Sequence, residues 1–125
     1  MAARIAQWTL DVHDLGPMAE FWASALDLRI ERLDDGSAKL YPRDEAAPDV
    51  PTLWLQPTAP TKSGKNRLHP DLRPVGGDVE AEVERLLGLG AVRADVGQRG
   101  DEPFVVLADP EGNEFCVLRN EPREV

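Results

Sequence analysis

The chain has a single cysteine, Cys116, among 125 residues, so no internal disulfide can form and packing alone must hold the fold. A lone cysteine suits a reducing compartment, and a cytoplasmic location is expected. Basic residues are in deficit: 14 Lys and Arg against 23 Asp and Glu leave a net charge of −9. Such a surface repels phosphate backbones and anionic headgroups, which argues against nucleic-acid and membrane partners. Also missing is any apolar run near the length of about 20 residues that a membrane span needs. No basic segment followed by an apolar stretch opens the sequence, so no secretory leader is expected. What is present is ordinary: 42% hydrophobic and 30% charged residues suit one globular domain with a real core. The 11 prolines fall mostly between periodic segments and mark short, rigid connections.

Periodicity sets the elements. Ile5–His13 alternates, with Trp8, Leu10 and Val12 on one face and Gln7, Thr9, Asp11 and His13 on the other, the period of a half-buried strand. Asp14 then offers an N-cap and Pro17 a first-turn residue. Met18, Phe21, Trp22, Ala25 and Leu26 form the apolar stripe of a helix. Leu28–Arg32, Ala38–Tyr41 and Thr52–Gln56 read as strands, and the acidic loop Pro42–Pro51 is expected to be exposed. The order then recurs. Leu68–Arg73 reads as a strand, and Asp78 caps a helix whose stripe is Val79, Val83, Leu86 and Leu87. Gly88 and Gly90 should end that helix, because glycine accepts the left-handed conformation. Ala91–Val96, Phe104–Ala108 and Glu114–Arg119 follow as strands. Asp109-Pro110-Glu111-Gly112-Asn113 joins the last two, with Pro fixing φ and Gly tolerating positive φ in a tight turn.

Each half is therefore strand–helix–strand–strand–strand, an internal duplication with modules at about 4–57 and 66–120 in one domain. Gln7 lies seven residues before Asp14 and His69 nine before Asp78, so counting Gly76-Gly77 as an insertion makes Gln7 and His69 equivalent. Overlaying Thr52–Leu55 on Glu114–Val117 makes Trp54 and Cys116 equivalent. The apolar strand faces are Trp8, Leu10, Val12; Leu53, Leu55; Leu68, Leu72; and Phe115, Val117. The opposite faces carry Gln7, Thr9, Asp11; Thr52, Trp54, Gln56; His69, Asp71, Arg73; and Glu114, Cys116, Leu118. If these strands curve around one concavity, it is polar and charged and holds one large indole. The alternative is a set of solvated faces of half-buried strands. Trp54 and Cys116 speak for a pocket, since neither residue type is often left in open water.

Three segments resemble the vicinal oxygen chelate superfamily, which unites glyoxalases, bleomycin-resistance proteins and extradiol dioxygenases. They are Asp14 through Phe21-Trp22 and Ala25-Leu26-Asp27-Leu28, then Lys65-Asn66-Arg67-Leu68-His69-Pro70-Asp71-Leu72, then Asp109-Pro110-Glu111-Gly112-Asn113-Glu114-Phe115. The last two are most similar to its glyoxalase-like domain subgroup. The resemblance implies an α+β fold in which two βαβββ modules form a half-open β-barrel. In metal-dependent members it implies a divalent ion held by one residue from each of four strands. Those positions fall on Gln7, Trp54, His69 and Cys116. Trp54 cannot ligate a metal, and Cys116 stands where a carboxylate is usual. Glu114 shares the face of Cys116 with shifted geometry. No metal or other cofactor is therefore expected, with a divalent metal as the alternative.

Without a metal, His69 is the candidate acid–base group, because imidazole titrates near neutral pH. Glu114 is the candidate catalytic carboxylate, and Gln7, Thr9, Trp54, Gln56, Asp71, Arg73 and Cys116 are candidate substrate contacts. Structural readings stand beside these. His69 could simply hydrogen-bond a neighbour, Asp11 and Arg73 could form an ion pair, and Cys116 could be a small buried hydrophobe. Lys62, Lys65 and Arg67 form a basic loop that either attracts an anionic substrate or is merely solvated. His13 is expected on the surface without a role. The function expected from the resemblance is a glyoxalase-like small-molecule-binding protein, acting as a metal-independent lyase or isomerase through His69 and Glu114. One alternative is a non-catalytic protein of the bleomycin-resistance type that sequesters a drug or metabolite, with Trp54 stacking on a planar ligand. Another is a metal-dependent glyoxalase or dioxygenase. The resemblance also implies a homodimer.

Overall fold

The computed structural model describes residues 1–43 and 50–119, so most of the loop expected to be exposed at Pro42–Pro51 lies outside the described residues. The chain divides into two compact units, Met1–Thr61 and Lys62–Val125. Both are α+β and repeat one order of elements, the paired βαβββ arrangement expected above. Among the described residues no helix is long and apolar enough to cross a membrane.

The first unit runs β1 (Gln7–Asp11), α1 (Leu15–Leu26), β2 (Leu28–Arg32), β3 (Ala38–Pro42) and β4 (Thr52–Gln56). Its sheet order is β1-β4-β3-β2, with β1 parallel to β4 and the other pairs antiparallel. Helix α1 buries Met18, Phe21, Trp22 and Ala25, joined by Ala19 and Ala23. Phe21 and Trp22 meet edge to face at 5.1 Å. Leu26, expected in this stripe, is 38% exposed because the helix ends beside it. Asp27 takes the left-handed conformation there (φ 54°), and its N–H bonds back to the Ala23 carbonyl. Trp8 is also more exposed than its apolar strand face implied, at 45%.

The second unit runs β5 (Asp71–Leu72), α2 (Val79–Leu89), β6 (Val92–Arg93), β7 (Phe104–Ala108) and β8 (Glu114–Leu118), in sheet order β5-β8-β7-β6. Asp78 caps α2, its carboxylate accepting from the Ala81 N–H at 3.0 Å. Val79, Val83 and Leu86 are the buried stripe. Gly88 lies inside the helix, and Gly90 alone ends it, at φ 122°. Two strands are shorter than their sequence pattern. The segment Leu68–Arg73 pairs only at Asp71–Leu72, because Pro70 has no N–H to give. Its carbonyl still accepts from the Cys116 N–H at 3.0 Å, and Leu68, expected on the core face, is 70% exposed. The segment Ala91–Val96 pairs at Val92–Arg93, and the chain then turns at Gly97, whose N–H is taken by the Asp95 carboxylate at 2.8 Å.

The β7–β8 hairpin is the most tightly specified part of this unit. The Asp109 side chain, 1% exposed, accepts from the N–H groups of Glu111 (2.9 Å) and Asn113 (3.0 Å) and from the Asn113 amide. Gly112 takes φ 88°, which a side chain would strain. The turn pins the register Ala108↔Glu114, Val106↔Cys116 and Phe104↔Leu118. Replacing Asp109 by Ala leaves those half-buried donors without their acceptor and should cost about 2–3 kcal/mol. Urea unfolding should show a lower midpoint at unchanged slope, and Asp109→Asn, which keeps one carbonyl acceptor, should lose less.

Candidate small-molecule site in the second unit

Both parallel pairs join residues with one spacing, Thr9 with Trp54 in the first unit and Asp71 with Cys116 in the second. That register agrees with the equivalences Gln7/His69 and Trp54/Cys116. In the second unit the face opposite the helix becomes a cavity of about 370 Å³, lined by Lys65, His69, Asp71, Val96, Pro103, Phe104, Val106, Glu114, Cys116 and Leu118. Four sequence candidates, His69, Asp71, Glu114 and Cys116, thus meet in one place. Arg73 lies beyond the end of β5 and is not part of the lining.

At the polar end, His69 Nε2 lies 3.3 Å from Asp71 Oδ1, and both side chains are partly open to solvent. The Cys116 thiol is 6% exposed and hydrogen-bonds to Asp71. Burial, then the Asp71 charge and that bond, push its pKa up to about 11, and Lys65 pulls it slightly back. The thiol therefore keeps its proton at neutral pH. The donor atoms of His69, Asp71 and Cys116 all lie within 4.8 Å of one another.

Glu114 is only 8% exposed and is engaged differently. Its Oε2 lies 2.9 Å from Lys62 Nζ and its Oε1 accepts from the Asn66 N–H at 3.1 Å. Lys62 Nζ also donates to Oε1 at 3.2 Å and to the Gly64 carbonyl. The Oε2 contact is an ion pair by distance, but its angle is poor for a hydrogen bond, so Oε2 has no well-aligned donor. Burial raises the carboxyl pKa. The Lys62 and Asn66 bonds together outweigh it and hold the group below the ordinary carboxylate range.

The remaining candidates belong to the first unit. Gln7 Oε1 accepts from Thr52 Oγ1 at 3.2 Å, and Thr9 is exposed beside Trp54 in the ladder. Trp54 Nε1 is buried without a hydrogen-bond partner, and Lys39 Nζ sits 5.1 Å from the ring centroid. Gln56 is half-buried at the end of β4. His13 is exposed, with Nδ1 3.3 Å from the Ala59 carbonyl oxygen. Of the apolar wall, Leu118 lies on the face expected for it, whereas Val96, Phe104 and Val106 escaped the sequence reading. Strand β7 is apolar on both faces, so alternation does not say which residues look into the cavity. Only the register opposite Cys116 and Leu118 does.

Residues 7–118 match the model of the glyoxalase-like domain. The chain belongs to that family, within the vicinal oxygen chelate superfamily. Among solved structures it is similar to the fosfomycin resistance protein FosX from Mesorhizobium loti, at 16% identity over 99% of this chain and 97% of that one, TM-score 0.73. It is similar also to a Glu-to-Gln mutant of FosX from Listeria monocytogenes complexed with Mn(II) and 1S,2S-dihydroxypropylphosphonic acid, at 12% identity over 99% and 95%, TM-score 0.74. A third is a glyoxalase/bleomycin resistance protein/dioxygenase family enzyme from Burkholderia phytofirmans PsJN, at 16% identity over 92% and 97%, TM-score 0.64. At these identities the likeness is one of fold. A search of curated proteins found no match.

Two outcomes test the electrostatics. A carboxyl whose pKa is lower folded than unfolded stabilises the fold above its unfolded value, here 4.5, and loses that stabilisation as pH falls through the folded one. Glu114→Gln should therefore cost about 1–2 kcal/mol at neutral pH and flatten the acid limb of the stability profile below the unfolded value. Denaturant midpoints across that range measure both. Cys116 should resist iodoacetamide, reacting about 100-fold more slowly at pH 8 in the folded than in the unfolded chain.

Proposed function

We propose that this chain is a glyoxalase-like small-molecule-binding enzyme that moves a proton with His69, oriented by Asp71, without a resident metal. The observation that carries this reading is the 3.3 Å contact between His69 Nε2 and Asp71 at the polar end of the apolar-walled cavity. With Nε2–H donated to Asp71, Nδ1 keeps its lone pair and serves as the base. It would take a proton from the carbon next to a substrate carbonyl, and Asp71 would stabilise the imidazolium that forms. Returning that proton at another position is an isomerisation. Expelling a leaving group from the neighbouring carbon is a lyase reaction. Glu114 was the carboxylate expected beside His69. Its engagement by Lys62 and Asn66 supports Asp71 in that role instead and gives Glu114 a positioning role. A homodimer, implied by the resemblance, and a cytoplasmic location, suggested by the lone cysteine, belong to the same proposal.

One observation favours a second reading. The imidazole of His69, the carboxylate of Asp71 and the thiol of Cys116 are close enough to meet one divalent ion. Such an ion would polarise a substrate oxygen. The four-strand set implied by the resemblance does not fit, because Trp54 offers no donor. The three-residue cluster lies in the second unit and does not need it, although the Cys116 proton would have to leave.

Solvent-deuterium exchange into enolisable carbonyl compounds, followed by NMR, tests the first reading. His69→Ala should lower the rate by about 100-fold or more, and Asp71→Asn should lower it less. Conversion that survives His69→Ala unchanged would remove His69 from the mechanism. Binding without any exchange would favour sequestration. Elemental analysis of protein purified without chelators addresses the metal. A stoichiometric ion lost in His69→Ala and Asp71→Asn would establish the second reading.

A further inference from the structure

We propose that Lys65 anchors an anionic group of the cavity's ligand, so that the ligand class is a small organic anion with an apolar body. The inference rests on the reading of this cavity as a small-molecule site and goes further by naming what enters it. Glu114 grips the chain on both sides of Lys65, through Lys62 Nζ at 2.9 and 3.2 Å and the Asn66 N–H at 3.1 Å. Lys62 tightens the same segment by donating to the Gly64 carbonyl. A five-residue stretch is thereby tied to β8, and Lys65 stands at the edge of the 370 Å³ cavity.

Lys65 is the lining cation with no ion pair among the described residues. Lys62 is committed to Glu114, and Asp71 faces His69 and the Cys116 thiol. No side-chain hydrogen bond or ion pair joins the Lys65 ammonium to any described residue. Its field nevertheless reaches the cavity interior, where it acts on the Cys116 thiol. The other walls, Val96, Phe104, Val106 and Leu118, offer no partner for a second charge. An anion at Lys65 with an apolar body along β7 satisfies both ends. A cationic head group in the same place would be repelled by Lys65.

The test uses three probes that share a phenyl body and differ in head group: phenylacetate, phenylacetamide and phenethylamine. Binding is read from the NMR amide shifts of Val106, Cys116 and Leu118. A partly exposed lysine predicts a modest preference, with phenylacetate bound about three- to tenfold more tightly than the other two at low salt. Lys65→Gln should abolish that preference. Lys65→Arg should keep it, and so should Arg67→Gln, which removes a neighbouring loop cation outside the lining. Equal affinity for the three head groups, preference for the amine, or a preference surviving Lys65→Gln would overturn the inference. Equal affinity would leave the small-molecule reading standing, whereas no cavity shift with any probe would remove both.

Discussion

The second unit depends on a buried carboxylate that does not line the cavity. Asp109 closes the β7–β8 hairpin by accepting from the backbone of Glu111 and Asn113, and this fixes where β8 begins. From that start the pleat assigns alternate residues: Phe115 and Val117 are fully buried on one side, and Glu114, Cys116 and Leu118 line the cavity on the other. A shift of one residue would exchange the two sets and put a carboxylate into the apolar interior. The turn thus decides which chemistry the cavity receives.

Beyond the turn, the polar groups of the cavity divide into two separately satisfied sets. Glu114 is spent on holding the Lys62–Asn66 segment, while Asp71 serves His69 and Cys116. The two carboxylates line one cavity yet face different environments, one paired with an ammonium and accepting from a backbone N–H, the other beside an imidazole and a thiol.

Much of this was legible in the sequence. The duplication, the strands Leu28–Arg32, Thr52–Gln56 and Phe104–Ala108, and the grouping of His69, Asp71, Glu114 and Cys116 on one face all follow from period-two alternation and turn chemistry. The rest was not legible, for identifiable reasons. Pro70 removes a ladder donor, and the strand around His69 shrinks although its side chains still alternate. Leu26 fits the helical stripe, but the left-handed Asp27 ends the helix and leaves it exposed. The partner of Glu114 lies 52 residues away in a loop, and no local periodicity reports a contact of that separation. Phe104 and Val106 of the apolar wall were hidden because β7 is apolar on both sides.

The shortness of β5 has one more effect. The outer strands of the second sheet, β5 and β6, each pair over only two residues, whereas those of the first sheet, β1 and β2, run for five. A sheet edge of two residues gives an incoming strand almost no ladder to extend. The same proline that frees His69 from the ladder therefore also leaves the β5 edge too short to serve as a template for a foreign strand, and the turn at Gly97 does the same for β6.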